Sequence, residues 1–125
     1  MKILEIESTA ITPNVFFNPD EGILKIEGRS IPENPEEFYR KLKLWLKEYF
    51  LSPQDHTDVK FLLEYVNSGS TKFLLEIMRL FKEQVDLGTS IQIRWYFEDE
   101  DEAIEELGEH FVEMVQIPIE LIPIK

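Results

Sequence analysis

The chain has 125 residues, no cysteine and a formal net charge of −12 at neutral pH. This length predicts one domain, residues 1–125, and the absence of cysteine excludes disulfides, thiol catalysis and thiolate metal sites. The negative field repels phosphate backbones and anionic lipid headgroups, so neither nucleic acid nor a membrane surface is expected as a partner.

The first part of the chain predicts short strands followed by a helix. Residues 3–6, 15–17 and 23–28 have strand-like patterns, and "NPDEG" between the last two provides the turn of a hairpin at the edge of a sheet. Asn34, Pro35 and Glu37 are typical of a helix start, and apolar residues then recur at helical spacing. We therefore expect a helix over residues 35–50.

The second part predicts alternating strands and helices. "VKFLLEYV" at 59–66 is a short apolar run, typical of a central strand that is covered on both faces. A helix over 71–86, a half-buried strand over 90–97 and a helix over 103–115 follow, and the prolines of "IPIELIPIK" permit only an edge strand or an extended tail. The order β-β-β-α-β-α-β-α-β predicts an α/β domain with a mixed sheet, in which 59–96 forms a right-handed parallel crossover.

The acidic run "EDEDE" at 98–102 permits two interpretations. It lacks the ligand spacing and the glycine of a calcium loop, whereas acidic residues before a helix are favoured by the helix dipole. We therefore expect a solvated helix start, with a small metal-dependent enzyme as the less favoured alternative. His56 and His110 are too far apart in sequence to indicate a metal cluster, so neither a metal nor a cofactor is expected.

The sequence shows no catalytic motif and no targeting segment. It contains no G-x-S-x-G elbow and no glycine-rich phosphate loop. Glu5 and Glu7 interrupt the apolar stretch at the amino end, and no run of about 18 apolar residues is present. A non-enzymatic protein of the cytoplasm is the expectation.

The junction "YVNSGST" at 65–71 combines hydroxyl and amide side chains where a strand meets a helix. We expect a turn through residues 67–69 and a helix that begins near Ser70 or Thr71, with one of these two hydroxyls as its cap. Ser68 lies before this cap, at the carboxyl end of a parallel strand, where partners meet α/β sheets. A phosphate there would add roughly −1.5 to −2 charge beside free helix N–H groups, a position that the helix dipole favours.

The helix after this junction has a wide apolar surface. Its apolar residues cover an arc of about 160°, against the roughly 100° that core packing requires. Phe73, Leu75 and Leu80 lie at the margins and either form a docking patch with Ser68 or belong to a large core. If a partner covered the patch, a phosphate on Ser68 would cost several kcal/mol to desolvate and would weaken binding 100-fold or more.

Three runs carry a family resemblance: "TPNVFFNPDEGILKIEGRSIPENPEEFY", "YVNSGSTKFLLEIM" and "IRWYFEDEDE". In these runs, which are spread over nearly the whole chain, the sequence resembles the SiaC-type regulatory phosphoproteins, whose fold is similar to the STAS domains of anti-sigma-factor antagonists. The resemblance implies partner switching, in which a cognate serine/threonine kinase phosphorylates the protein, a PP2C-type phosphatase restores it, and the unphosphorylated form engages an effector. In the best-known branch the effector is a diguanylate cyclase, which links the switch to cyclic-di-GMP and biofilm behaviour.

The resemblance places the phosphoacceptor after the Asn of a Y-x-N-[ST] motif, which is Ser68 in this chain. The sequence has N-S-G-S where the family pattern has N-T-S-S, so Gly69 loosens the loop and Ser70, with Thr71, becomes a second choice. The residues predicted to contact partners are Asn67, Gly69, Lys72, Phe73, Leu75 and Leu80. The alternative is a constitutive structural or assembly subunit in which "NSGST" only caps a helix.

Overall fold

The computed structural model describes all residues, 1–125. Its elements in chain order are β1 (Leu4–Ile6), β2 (Asn14–Asn18), β3 (Ile23–Ser30), α1 (Pro35–Tyr49), β4 (Thr57–Val66), α2 (Ser68–Asp86), β5 (Ile91–Glu98), α3 (Glu102–Val115) and β6 (Ile119–Ile124). The strands form one six-stranded sheet in sequential order. The pairs β1–β2 and β2–β3 are antiparallel, and the remaining pairs are parallel. The predicted α/β class, mixed sheet and element order are confirmed.

All three helices cover the same face of the sheet. Each parallel crossover moves one strand in the same direction, and such connections are right-handed, so α1, α2 and α3 lie side by side. Burial therefore alternates along β4, where Val59, Phe61 and Leu63 are buried while Lys60 and Leu62 are partly exposed. The expectation that this strand is covered on both faces is wrong, because the second face of the sheet is open.

Trp95 on β5 lies at the centre of the contact between the sheet and α3. Its ring packs against Phe61 and Phe111 with centroid distances of 5.4 and 5.6 Å, and its indole N–H donates to the carbonyl oxygen of Ile104 at 2.9 Å. A Cβ atom at Gly108 would lie 2.6 Å from Trp95 Cδ1, so α3 approaches the sheet at a distance that only glycine permits. This packing fixes α3 against β4 and β5.

The edges and turns of the sheet follow the sequence patterns in most places. The β2–β3 hairpin forms as predicted, but it does not lie at the edge of the sheet. Strand β1 pairs with β2 and is the edge strand. The carboxyl-terminal segment forms β6, which confirms the edge-strand alternative for this segment. The acidic run is a helix start, since the Asp101 side chain accepts from the backbone N–H of Ile104 at 3.1 Å.

Two features of the structure bear on the class of function. None of the helices combines the length and the apolar content needed to cross a membrane. No three His, Asp or Glu side chains converge in a way that would hold a metal ion. His56 instead bonds to Ser90 at 2.7 Å and to Asp58 at 3.3 Å, and His110 is exposed.

Candidate functional site

Helix α2 begins directly after β4 and is capped by Asn67. The Asn67 side chain accepts from the backbone N–H of Ser70 at 2.9 Å, and its carbonyl oxygen accepts from the N–H of Thr71 at 3.2 Å. Asparagine is among the preferred N-cap residues, and its extended backbone here has the conformation that a cap requires. The prediction that Ser70 or Thr71 caps the helix is therefore wrong, and α2 starts three residues earlier than expected.

Ser68 is the first residue of α2 and is exposed to solvent. None of the side-chain hydrogen bonds of the junction uses its hydroxyl. The first turn of a helix leaves backbone N–H groups without intrahelical partners, and the helix dipole favours negative charge there. Lys72, four residues further on, is also exposed, at the spacing at which opposite charges attract on a helix. The position of Ser68 is therefore well suited to a phosphate.

Ser70 has the opposite environment, because its side chain is completely buried. Its hydroxyl donates to the carbonyl oxygen of Ser30 at 3.2 Å and accepts from the Ser30 hydroxyl at 2.9 Å. The Ser30 hydroxyl is also bonded to the Tyr39 hydroxyl at 2.5 Å. Burial raises the pKa of Tyr39 to about 12, although the hydrogen bonds to Ser30 and Ser70 act in the opposite direction. A kinase would have to unwind the start of α2 to reach Ser70, while Thr71 is half-buried and donates to the Asn67 carbonyl oxygen at 3.3 Å.

These hydrogen bonds join two of the motifs that the sequence presents separately. Ser30 belongs to the "GRSIPEN" turn at the end of β3, and its carbonyl oxygen also accepts from the N–H of Asn67 at 3.0 Å. Sequence reasoning missed Ser30 and Tyr39 as supports of the α2 start. The one available signal was the alternation along β3, which places Ser30 on the same buried face as Leu24 and Ile26.

Two grooves flank α2, and they divide the predicted partner residues. At 100° per residue, Leu75 lies about 20° from Ser68 around the helix, whereas Phe73 lies about 140° from it. Phe73 and Leu80 line the groove between α1 and α2. The groove between α2 and α3 has a volume of about 410 Å³ and is lined by Glu64, Tyr65, Val66, Ser68, Thr71, Asp101, Ala103, Ile104 and Leu107.

The remaining predicted partner residues lie along the amino end of α2. Asn67 is half-buried as the cap, and Gly69 is exposed beside α1, where an added Cβ would lie 3.4 Å from Pro35 Cγ. The Lys72 ammonium lies 5.6 Å from the centre of the Phe73 ring. Phe73, Leu75 and Leu80 are partly buried and pack against the core. They are neither fully exposed nor fully part of the core, and their role in partner binding stays a prediction.

A family model described as "SiaC family regulatory phosphoprotein" matches residues 6–124. The chain belongs to the SiaC family. It is 29% identical over 118 residues, 94% of each chain, to an uncharacterized protein of Pseudomonas aeruginosa strain UCBPP-PA14. The predicted family membership is confirmed.

Solved structures of SiaC have the same fold. Apo-SiaC from Pseudomonas aeruginosa has a TM-score of 0.91 at 28% identity, over 98% of this chain and 99% of that one. SiaC in complex with the diguanylate cyclase SiaD, of which it is the activator, has a TM-score of 0.90 at 27% identity, over 97% and 99% of the two chains. Regulation of a cyclase by direct binding is thus a property of that SiaC protein.

Proposed function

We propose that this SiaC-family chain is a non-enzymatic regulatory switch of the cytoplasm. In its unphosphorylated form it binds and regulates an effector, a diguanylate cyclase, and thereby acts in cyclic-di-GMP signalling. A cognate serine/threonine kinase phosphorylates Ser68, and a PP2C-type phosphatase removes the phosphate. The observation that carries the proposal is the exposed hydroxyl of Ser68 at the first position of α2, in a fold that SiaC shares in its complex with SiaD.

The structure supports a switch in which the fold stays the same and the surface changes. Because Ser68 is exposed at the positive end of the α2 dipole, a phosphate would be accepted without a change of packing. A partner seated over Ser68 would have to desolvate roughly −1.5 to −2 additional charge, at a cost of several kcal/mol. Phosphorylation is therefore expected to weaken effector binding about 100-fold or more.

The acceptor is tested with the cognate kinase and intact-mass measurement. Wild type and the control Ser8→Ala, which removes another exposed serine hydroxyl, are expected to gain one phosphate. Ser68→Ala is expected to gain none, and Ser68→Thr, which keeps a hydroxyl, to be labelled. Labelling of Ser68→Ala to the level of wild type would exclude Ser68 as the acceptor.

The switch itself is tested by calorimetric titration of the cyclase with the phosphorylated and unphosphorylated protein. The unphosphorylated form is expected to bind and to change the rate of cyclic-di-GMP synthesis, and the phosphorylated form to bind about 100-fold more weakly. A constitutive assembly subunit would bind its partner equally well in both forms. Equal binding would therefore reject the switch.

A further inference from the structure

The charges of this acidic chain are distributed very unevenly. Helices α1 and α2 together have seven Lys and Arg residues and six Asp and Glu residues, a net charge of +1. The rest of the chain has six Lys and Arg residues against 19 Asp and Glu residues, a net charge of −13. The surface of α1 and α2 is therefore the part of the molecule where an acidic partner meets the least repulsion.

A groove runs between these two helices, and four cations, three glutamates (Glu36, Glu76 and Glu83) and several apolar side chains line it. We define the α1–α2 groove by Arg40, Lys43, Lys47, Phe73, Arg79 and Leu80. The ion pair between Lys43 and Glu76, with 3.1 Å between nitrogen and oxygen, crosses the groove. Hollows of about 180 Å³ at Phe73 and about 290 Å³ at Leu80 lie along it, a size that suits single side chains of a partner better than a small-molecule ligand.

Several cations of this groove lack a partner within the chain. Lys47 and Arg79 form no ion pair, and Arg40 has only an exposed pair with Glu36 at 3.6 Å, a type of contact that contributes little. Next to these cations, Leu44 is 61% exposed. The groove on the other side of α2 has the opposite character, because its charged lining residues are acidic. Unpaired cations beside an exposed leucine thus distinguish the α1–α2 groove.

We propose that the α1–α2 groove binds an acidic segment of the effector that presents two apolar anchors, a proposal that rests on the proposed function above. Phe73 and Leu80 are seven residues apart, which is about 10 Å along the axis of α2. A helix in the partner would match this distance with apolar residues seven positions apart. Carboxylates between the anchors would face Lys47 and Arg79, while the rest of the surface would repel such a segment.

This occupant determines the direction of the switch. The start of α2 lies beside the start of α1, since a Cβ on Gly69 would lie 3.4 Å from Pro35 Cγ, whereas Ser68 itself lines the α2–α3 groove on the other side of the helix. Ser68 and Phe73 are about 7.5 Å apart along the helix axis and about 140° apart around it, so their side chains are separated by more than the Debye length of about 8 Å at physiological salt. A phosphate on Ser68 would attract the neighbouring Lys72 and repel the carboxylates of the segment. Phosphorylation thus weakens the binding of an acidic segment only through screened, long-range repulsion.

The test uses a stapled helical peptide with two leucines seven positions apart and glutamates between them, titrated into the isotope-labelled full chain. We expect chemical-shift changes along the α1–α2 groove, and affinity at least 10-fold weaker for Lys47→Glu/Arg79→Glu. The control Lys60→Glu/Lys125→Glu reaches the same net charge at residues that also lack ion pairs, and it is expected to stay within twofold of wild type. Shift changes outside the groove, no shift changes, or equal losses in both variants would overturn the proposal.

The same two variants, titrated with the cyclase, separate this inference from the proposed function. If Ser68 phosphorylation abolishes cyclase binding while Lys47→Glu/Arg79→Glu binds as wild type does, the groove assignment fails and the switch remains. If the cyclase binds neither the phosphorylated nor the unphosphorylated protein, the proposed function fails, and the peptide titration alone decides whether the groove takes an acidic segment.

Discussion

Replacing Ser70 by Ala tests whether the buried hydroxyl network holds the start of α2. The substitution removes two hydrogen bonds, one donated to the Ser30 carbonyl oxygen and one accepted from the Ser30 hydroxyl. Each bond of this kind contributes about 0.5–1.5 kcal/mol net. No buried group is left without a partner, because the Ser30 hydroxyl keeps Tyr39 and the Ser30 carbonyl keeps the N–H of Asn67. We therefore expect a loss of about 1–3 kcal/mol in the free energy of unfolding.

Ser68→Ala is the matched control for this measurement. Ser68 lies two residues away on the same helix, but its side chain is exposed, so its removal should change stability by no more than about 0.5 kcal/mol. Urea unfolding, followed by circular dichroism and tryptophan fluorescence, gives both values. A Ser70→Ala protein as stable as wild type, or a Ser68→Ala protein with an equal loss, would refute the assignment of the two hydroxyls.

A double-mutant cycle adds Ser30→Ala to isolate the bond between the two side chains. Because the double variant removes both polar partners together, its loss should be smaller than the sum of the single losses, by about 1 kcal/mol. Additive losses would mean that the 2.9 Å contact between the two hydroxyls contributes nothing to stability.

Two further predictions concern packing and pH. Gly108→Ala places a Cβ 2.6 Å from Trp95 Cδ1 and should lower the free energy of unfolding by about 1–3 kcal/mol. Gly69→Ala meets only ordinary contacts and should be neutral or stabilising by up to about 1 kcal/mol. Equal melting temperatures of the two variants would contradict this prediction. Tyr39 has its folded pKa raised to about 12 by burial, against about 10 in the unfolded chain, so its contribution to stability is complete below pH 10 and is lost as pH rises towards 12. The free energy of unfolding should fall by about 2–3 kcal/mol through Tyr39. Urea unfolding between about pH 9 and 12 should show this loss for wild type but not for Tyr39→Phe. Parallel pH profiles for the two proteins would reject it.

Helix α1 shows what a sequence can predict by local rules alone. Asn34 caps the helix by accepting from the N–H of Glu37 at 3.1 Å, and Pro35 is its first residue, as the sequence indicates. Helix α2 shows where such rules stop. Three residues at this junction could cap the helix: Asn67, Ser68 and Ser70. The choice among them depends on Ser30, which lies 40 residues before Ser70 in sequence and forms hydrogen bonds with the Ser70 hydroxyl. Contacts of this range leave no signal in the sequence around the helix start, and the alternation along β3 indicates only that Ser30 is buried.

The open face of the sheet was missed for a related reason. Leu62 and Val66 make "VKFLLEYV" nearly continuous in apolar residues, and such a run is typical of a strand between two layers. The number of layers is fixed by the order of strands, because each crossover here moves in the same direction and places every helix on one side. The strand order is a property of the complete chain, and the composition of a single strand does not contain it.

The net charge of the chain is an average over its whole surface. The distribution of the charges determines how strongly a phosphate at Ser68 changes the local electrostatic field. On the part of the molecule outside α1 and α2, which already has a net charge of −13, two more negative charges are a small change in the field. On the α1 and α2 surface, with a net charge of +1, roughly −1.5 to −2 from one phosphate reverses the sign. A single modification has its largest electrostatic effect where the surface is nearly neutral, and the exposed Ser68 lies at the border of that surface, as the first residue of α2 on its α3 side. The strongly acidic remainder therefore makes the position of the acceptor, more than the size of its charge, the decisive variable.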